Sequence, residues 1–183
     1  MLAGCGVFST ETVKPSFPTM GKKIAIVPFA ERGTDFFESK LGIKMAADVR
    51  NVIQSKSSDL TFVSPEPLSD MLMTKEIDDI DWQEAGKVLE ADYVLFGVIK
   101  SFTLKDPKVY GLLRGNVEVE LKLLDLSNGG KVVFAKPLRH KYPPGDYEAT
   151  AGEENEEAVE KFLYTGIVNK IALNFYEYPK TEE

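Results

Sequence analysis

Three strand-like stretches in this chain carry two different hydropathy patterns, and that contrast constrains the fold more than any motif. Lys23-Ile24-Ala25-Ile26-Val27-Pro28-Phe29 and the run from Tyr93 to Ile99 are apolar on both parities. A strand with that pattern is buried on both faces. Val117, Val119, Leu121 and Leu123 instead alternate with Glu118, Glu120 and Lys122, the pattern of a half-exposed antiparallel strand. A chain holding both kinds calls for a mixed sheet covered by helices, α/β early and an antiparallel meander late. Pro28 is expected at a strand end, where a missing N–H is tolerated, and Gly97 marks close approach by another backbone or a bulky neighbour.

Helical spacing fills the gaps. Asp35-Phe36-Phe37-Glu38 reads as a capping box, with an acceptor side chain followed three places later by Glu. Phe37, Leu41, Met45, Val49 and Val52/Ile53 follow as one apolar stripe, predicting a helix that ends near Ser55 to Ser58. Leu60 to Val63 is a short strand closed by Ser64-Pro65, and Leu68 to Leu72 offers two turns of helix. A second capping box, Asp81 to Glu84, opens a helix that turns Trp82, Ala85, Val88 and Leu89 to one face. Asn128-Gly129-Gly130 is a hairpin signal before a last strand, Val132 to His140. The final helix, about Glu154 to Tyr176, directs Ala158, Phe162, Leu163, Ile167, Val168, Ile171, Ala172 and Phe175 inward. Glu153, Glu154, Glu156 and Glu157 crowd its start, at the positive end of the dipole. The order is β-α-β-α-α-β-β-β-α, an α/β (α+β) mixed sheet, which fits neither a TIM barrel nor a doubly wound sheet. One domain is expected over 23–178, with residues 1–5 set apart, a flexible linker over 6–22 and a frayed tail over 179–183. The linker reading rests on Ser9, Thr10, Thr12, Pro15, Ser16, Pro18, Thr19 and Gly21, which leave no helical or strand period. As a coil it reaches only about 22–25 Å.

Residues 1–5 locate the chain. Leu2-Ala3-Gly4-Cys5 resembles a bacterial lipobox, where a peptidase cuts before a cysteine whose thiol receives a diacylglycerol. Cys5 is the single cysteine of the chain, so it has no internal disulfide partner. The basic and apolar segments of a signal peptide do not precede it, so the expected start lies upstream of Met1 or the leader has been trimmed. The resemblance implies a lipid-anchored envelope protein attached to the membrane through Cys5. Gly6 is not the Asp that retains such proteins in the inner membrane, so the periplasmic face of the outer membrane is expected. The formal charge of −7, with Lys and Arg scattered, argues against a nucleic-acid partner. No apolar run approaches the ~20 residues of a membrane-spanning helix.

The segments Lys23 to Phe29 and Leu89-Glu90-Ala91-Asp92-Tyr93-Val94-Leu95-Phe96-Gly97, with the short strand ending in Val63-Ser64 between them and three meandering strands after, are similar to a known domain. They resemble the domain shared by the secretion lipoprotein CsgG, the synthase activator LpoB and the N-terminal domain of TolB, over about residues 22–178. The resemblance implies a non-enzymatic protein that binds envelope partners or oligomerises. A secretion pore is disfavoured, because Glu118, Glu120 and Lys122 would face lipid in the barrel hairpin near Val109 to Leu126. The linker is also shorter than LpoB-like reach requires, and no propeller repeats follow.

No catalytic residue, cofactor site or metal site is expected. His140 is the only histidine and Cys5 the only cysteine, so no Cys/His metal set can form, and no Ser-His-Asp triad is expected around His140. A solvated or hydrogen-bonded side chain is its simpler reading. Glu76, Asp78, Asp79 and Asp81 lack the spacing of a calcium loop, and Asp81 serves as an N-cap. Gly111, Gly115, Gly129 and Gly130 match neither phosphate-binding pattern. Tyr110 and Tyr142, beside charged residues and Pro143-Pro144, are the expected partner contacts, because tyrosine is enriched at interface anchors. The function expected is partner binding, through an exposed sheet edge or the Pro143-Pro144-Gly145 loop. The alternatives are a CsgG-like oligomeric assembly subunit and, resting only on spare carboxylates, a glycan-acting enzyme.

Overall fold

The computed structural model describes residues 11–74, 79–105, 113–144 and 155–180. In chain order these form β1 (Thr12–Val13), β2 (Lys22–Ile26), β3 (Ala30–Glu31), α1 (Lys40–Lys56), β4 (Leu60–Val63), α2 (Ser69–Thr74), α3 (Trp82–Leu89), β5 (Tyr93–Lys105), β6 (Leu113–Asp125), β7 (Lys131–Tyr142), α4 (Glu156–Ala172) and β8 (Tyr178–Pro179). The main sheet runs β4-β2-β5-β6-β7, with β3 pairing to β5 off that path. β2 lies parallel to both β4 and β5, whereas β5, β6 and β7 form an antiparallel meander. The mixed α+β architecture is the one the hydropathy contrast calls for.

Both parities of the central strands are covered. Ile24, Ile26, Leu95 and Ile99 join Val117, Val119, Leu121 and Leu123 under α1 and α4. On the opposite face Ala25, Val27, Val94, Phe96 and Leu124 pack against Leu68, Trp82, Ala85 and Leu89 of the α2–α3 side. That second layer covers only one end of the meander. Beyond it the same face of β6 turns outward and is lined by cross-strand ion pairs, Lys100 with Glu120 at 2.8 Å and Arg139 with Glu118 at 2.9 Å. Asp92, just before β5, joins strand ends: its carboxylate accepts the Lys23 N–H at 2.8 Å and pairs with Lys22 Nζ at 3.0 Å.

Local chemistry corrects several expectations. α1 does not start from the Asp35–Glu38 box. Its N-cap is Ser39, whose Oγ accepts the Gly42 N–H at 2.8 Å while its hydroxyl donates to Glu31 Oε2 at 2.5 Å. Asp35 belongs instead to a turn closed by its own carbonyl and the Glu38 N–H, and Phe37 packs on the α2–α3 side. α1 crosses so close to Phe29 that the Gly42 carbonyl accepts the Phe29 N–H at 3.2 Å, and a Cβ on Gly42 would lie 1.7 Å from the Phe29 oxygen. Gly97 meets the bulky neighbour its position predicts, since a Cβ there would touch the Phe29 ring at 2.6 Å. Asp81 caps α3 through Oδ1, which accepts from Gln83 and Glu84 N–H, but Val88 faces solvent. In α4, Val159 takes the inward place expected of Ala158, which is exposed, and Phe162 sits on the rim.

The stretch 11–22, expected as flexible linker, is built into the fold. β1 pairs antiparallel with β8, and Lys180 N–H donates to the Glu11 carbonyl. Phe17 is buried, edge-on to Tyr93 and Phe175 at 5.7 and 5.0 Å. One aromatic among turn-forming residues is enough to dock the segment, because its burial is worth about 1.5–3 kcal/mol. The first residues of the expected frayed tail are thereby paired; residues 181–183 lie outside the described residues.

Candidate functional site

The surface offers three places to test against the expected partner contacts: the end of β7, the two free sheet edges, and the flank of α1. Among the described residues no group of three or more His, Cys, Asp or Glu is arranged to hold a metal, and no helix is long and apolar enough to cross a membrane. Asp79 is exposed and Asp81 is occupied as a cap. Glu76, Asp78, Tyr110 and Cys5 lie outside the described residues.

At the end of β7 an aromatic ledge forms. Tyr142 meets the Phe162 ring edge-on at 5.6 Å, and His140 stacks on the same ring at 4.8 Å and 25°. Pro143 is half-buried and Pro144 exposed beside it. Alternation along β7 places His140 and Tyr142 on the α4 side, and α4 makes room by carrying Gly166 one turn after Phe162. A Cβ at Gly166 would lie 2.0 Å from the imidazole. His140, expected as a solvated or hydrogen-bonded side chain, is half-buried against a helix. Burial, and after it the positive charge of Lys170, holds its pKa below the ordinary imidazole value. Its ring serves in packing, stacked on Phe162. The sequence reading placed Phe162 in the core; its signal was the i, i+4 pairing with Gly166, a ring one turn before a vacant Cβ position.

The two sheet edges differ. Alternate residues of an edge strand turn N–H and C=O outward, a template for another strand. β7 is blunted. Pro137 has no N–H to offer, and the carbonyl of Arg139, on the same parity, accepts Lys170 Nζ at 2.8 Å. A register shift between Leu123 and Leu124 leaves Val133 outside the ladder as a bulge, which twists the edge further. β4, at the other end, pairs only with β2 among the described residues. It contains no proline, and Thr61 is exposed in its middle.

Beside β4 lies a groove of about 310 Å³ between that strand and the outer flank of α1. Ile26, Pro28, Ile43, Phe62 and Pro65 give it apolar walls, and Arg50, Asn51 and Gln54 supply its polar groups. Helical spacing produces this flank: Ile43, Ala47, Arg50 and Gln54 recur every three to four residues on the side turned away from Met45, Val49 and Ile53. The Arg50 guanidinium lies 5.7 Å from the Phe62 ring centroid. The cation lies over an apolar surface within cation–π range, and Arg50 makes no ion pair among the described residues. Behind the groove α1 is clasped to α4 by Tyr164, whose hydroxyl donates to Asp48 Oδ2 at 2.6 Å under Lys44. Sequence reading did not find this groove, because its two walls are brought together only by the parallel β2–β4 pairing.

No protein-family model and no curated protein sequence matches the chain. Solved structures do. The hypothetical protein CT253 from Chlamydia trachomatis superposes with a TM-score of 0.54 at 13% identity, over 82% of this chain and 95% of that one. Lipoprotein GNA1162 from Neisseria meningitidis gives 0.52 at 15% identity, over 82% and 98%. The PelC dodecamer from Paraburkholderia phytofirmans gives 0.52 at 16% identity, over 92% and 98%. At these identities the likeness establishes a shared fold. The LpoB C-terminal domain from Escherichia coli, named in the expected resemblance, gives 0.40 at 14% identity, over 67% and 84%, a looser likeness that carries no argument.

Proposed function

We propose that this chain is a bacterial envelope lipoprotein, anchored through lipid on Cys5, whose single domain binds a protein partner and catalyses no reaction. The observation that carries this reading is a conjunction. A Leu2-Ala3-Gly4-Cys5 segment stands ahead of a fold that lipoprotein GNA1162 also has over nearly its whole length. The surface supports binding over chemistry: it offers an aromatic ledge, one open sheet edge and a groove with a single cation. The periplasmic face of the outer membrane is the proposed location. The test is membrane fractionation and intact mass of the protein expressed with its upstream reading frame, beside Cys5→Ala. Recovery of wild type with membranes, triacylated on Cys5 as the new N-terminus, and release of the variant are expected. An unmodified protein, soluble in both forms, would refute the reading.

A second reading, that the domain assembles with copies of itself, is favoured by its likeness to the PelC dodecamer. Light scattering over a wide concentration range tests it. A constant monomeric mass would rule it out.

A further inference from the structure

We infer that the groove between α1 and β4 takes an extended segment of the partner protein, added beside β4, with an acidic side chain of that segment on Arg50. The inference rests on the partner-binding reading above and names the place and the chemistry of the contact. Three observations converge. β7 is protected at Val133, Pro137 and Arg139 against strand addition, while β4 has none of these devices. Strand addition to an exposed edge takes its affinity from backbone hydrogen bonds and its specificity from pockets for alternate side chains. The groove supplies such a pocket next to that edge, with apolar walls at Ile43 and Phe62.

Charge complementarity chooses the residue. Arg50 is exposed, lies over the Phe62 ring and has no carboxylate partner among the described residues. A guanidinium over an apolar wall is suited to bidentate carboxylate binding. The Asn51 and Gln54 amides line the same groove and can satisfy the remaining polar groups of a peptide. Size agrees as well: from Ile43 to Gln54 the helix rises about 16 Å, the length of roughly five extended residues. At about 310 Å³ the space is at the low end for a small-molecule pocket, and it borders a strand edge that a small molecule would leave unused.

The test is photo-crosslinking in native cells, with benzoylphenylalanine replacing Thr61 in one strain and Tyr142 in another, and adducts sequenced by tandem mass spectrometry. From position 61 an adduct to another polypeptide is expected, with Asp or Glu within about five residues of the cross-link. Arg50→Glu should reduce that adduct at least tenfold and Arg50→Gln should reduce it several-fold, with melting temperatures of both variants confirming the fold. An adduct only from position 142 overturns the groove inference and leaves partner binding intact. Adducts from neither position overturn both. A position-61 adduct to a second copy of this chain, or one indifferent to Arg50→Glu, also overturns the inference.

Discussion

Gly42→Ala should destabilise this protein, although helix propensity by itself says the reverse. An alanine inside an ordinary helix is favoured over glycine by about 1 kcal/mol. Here the added Cβ would lie 1.7 Å from the Phe29 carbonyl oxygen and 2.7 Å from its carbon. A comfortable C···O separation is about 3.3 Å, so α1 must withdraw by roughly 1.5 Å or the strand end must bend. Either movement breaks the Phe29 N–H to Gly42 carbonyl bond, worth about 1 kcal/mol. It also loosens Met45, Ala46 and Val49, which are buried under the same helix; overpacking of this kind costs about 1–3 kcal/mol. Against the propensity gain, the net loss is about 1–3 kcal/mol. With a urea slope of about 2 kcal/mol/M, the midpoint should fall by roughly 0.5–1.5 M, followed by Trp82 fluorescence and far-UV circular dichroism together. An unchanged or higher midpoint would show that α1 does not touch the Phe29 backbone. The position of the groove wall, which this contact sets, would then be wrong too.

Other outcomes follow from the same geometry. Tyr164→Phe removes the hydrogen bond that, more than Lys44, holds the Asp48 carboxyl below its ordinary range. Asp48 contributes stability above its unfolded value that is lost as pH falls through the lower folded one, so the variant should be about 0.5–1 kcal/mol less stable at neutral pH and lose less on acidification to pH 3. Identical pH profiles in urea titrations would remove the clasp. Gly166→Ala should expel the His140 ring and return its titration, followed by NMR, upward toward the ordinary 6.5. In the native protein, stability is full above the ordinary imidazole value and is lost as pH falls from there through the lowered folded one; an unshifted titration in the variant would contradict the seat on α4. Phe162→Ala removes the ring that both Tyr142 and His140 use, and because it is already 36% exposed, the loss should stay near 1–2 kcal/mol, below the 3–5 typical of core phenylalanine.

The legible part of the fold is the part written in local pattern. Both-parity runs gave β2 and β5, alternation gave β6, and the Asp81 cap appeared where its side chain was expected. Periodicity placed α1 and α4 to within a turn or so at each end. It misjudged single faces: Ala158 and Phe162 lie just outside the arc that Val159, Leu163, Ile167, Val168, Ile171 and Ala172 bury. Of the expected contact residues, Tyr142, Pro143 and Pro144 do come together at an exposed rim. Arg50 was not visible as a surface feature because its place depends on Phe62 of another element, whereas Phe162 carried a local signal in Gly166 one turn on.

The amino-acid order by itself determined the element types and the mixed sheet, because local hydropathy periods are properties of the chain. Only the tertiary structure decided that α1 is capped by Ser39 and not by Asp35, that Phe17 holds the segment 11–22 in the core, and that among the described residues β7 is closed while β4 is open. The physical reason is common to all three: each follows from atoms far apart in sequence competing for the same space or the same hydrogen bond. Glu31 engages the Ser39 cap, Tyr93 and Phe175 receive Phe17, and Lys170 of α4 takes the carbonyl that an incoming strand would need.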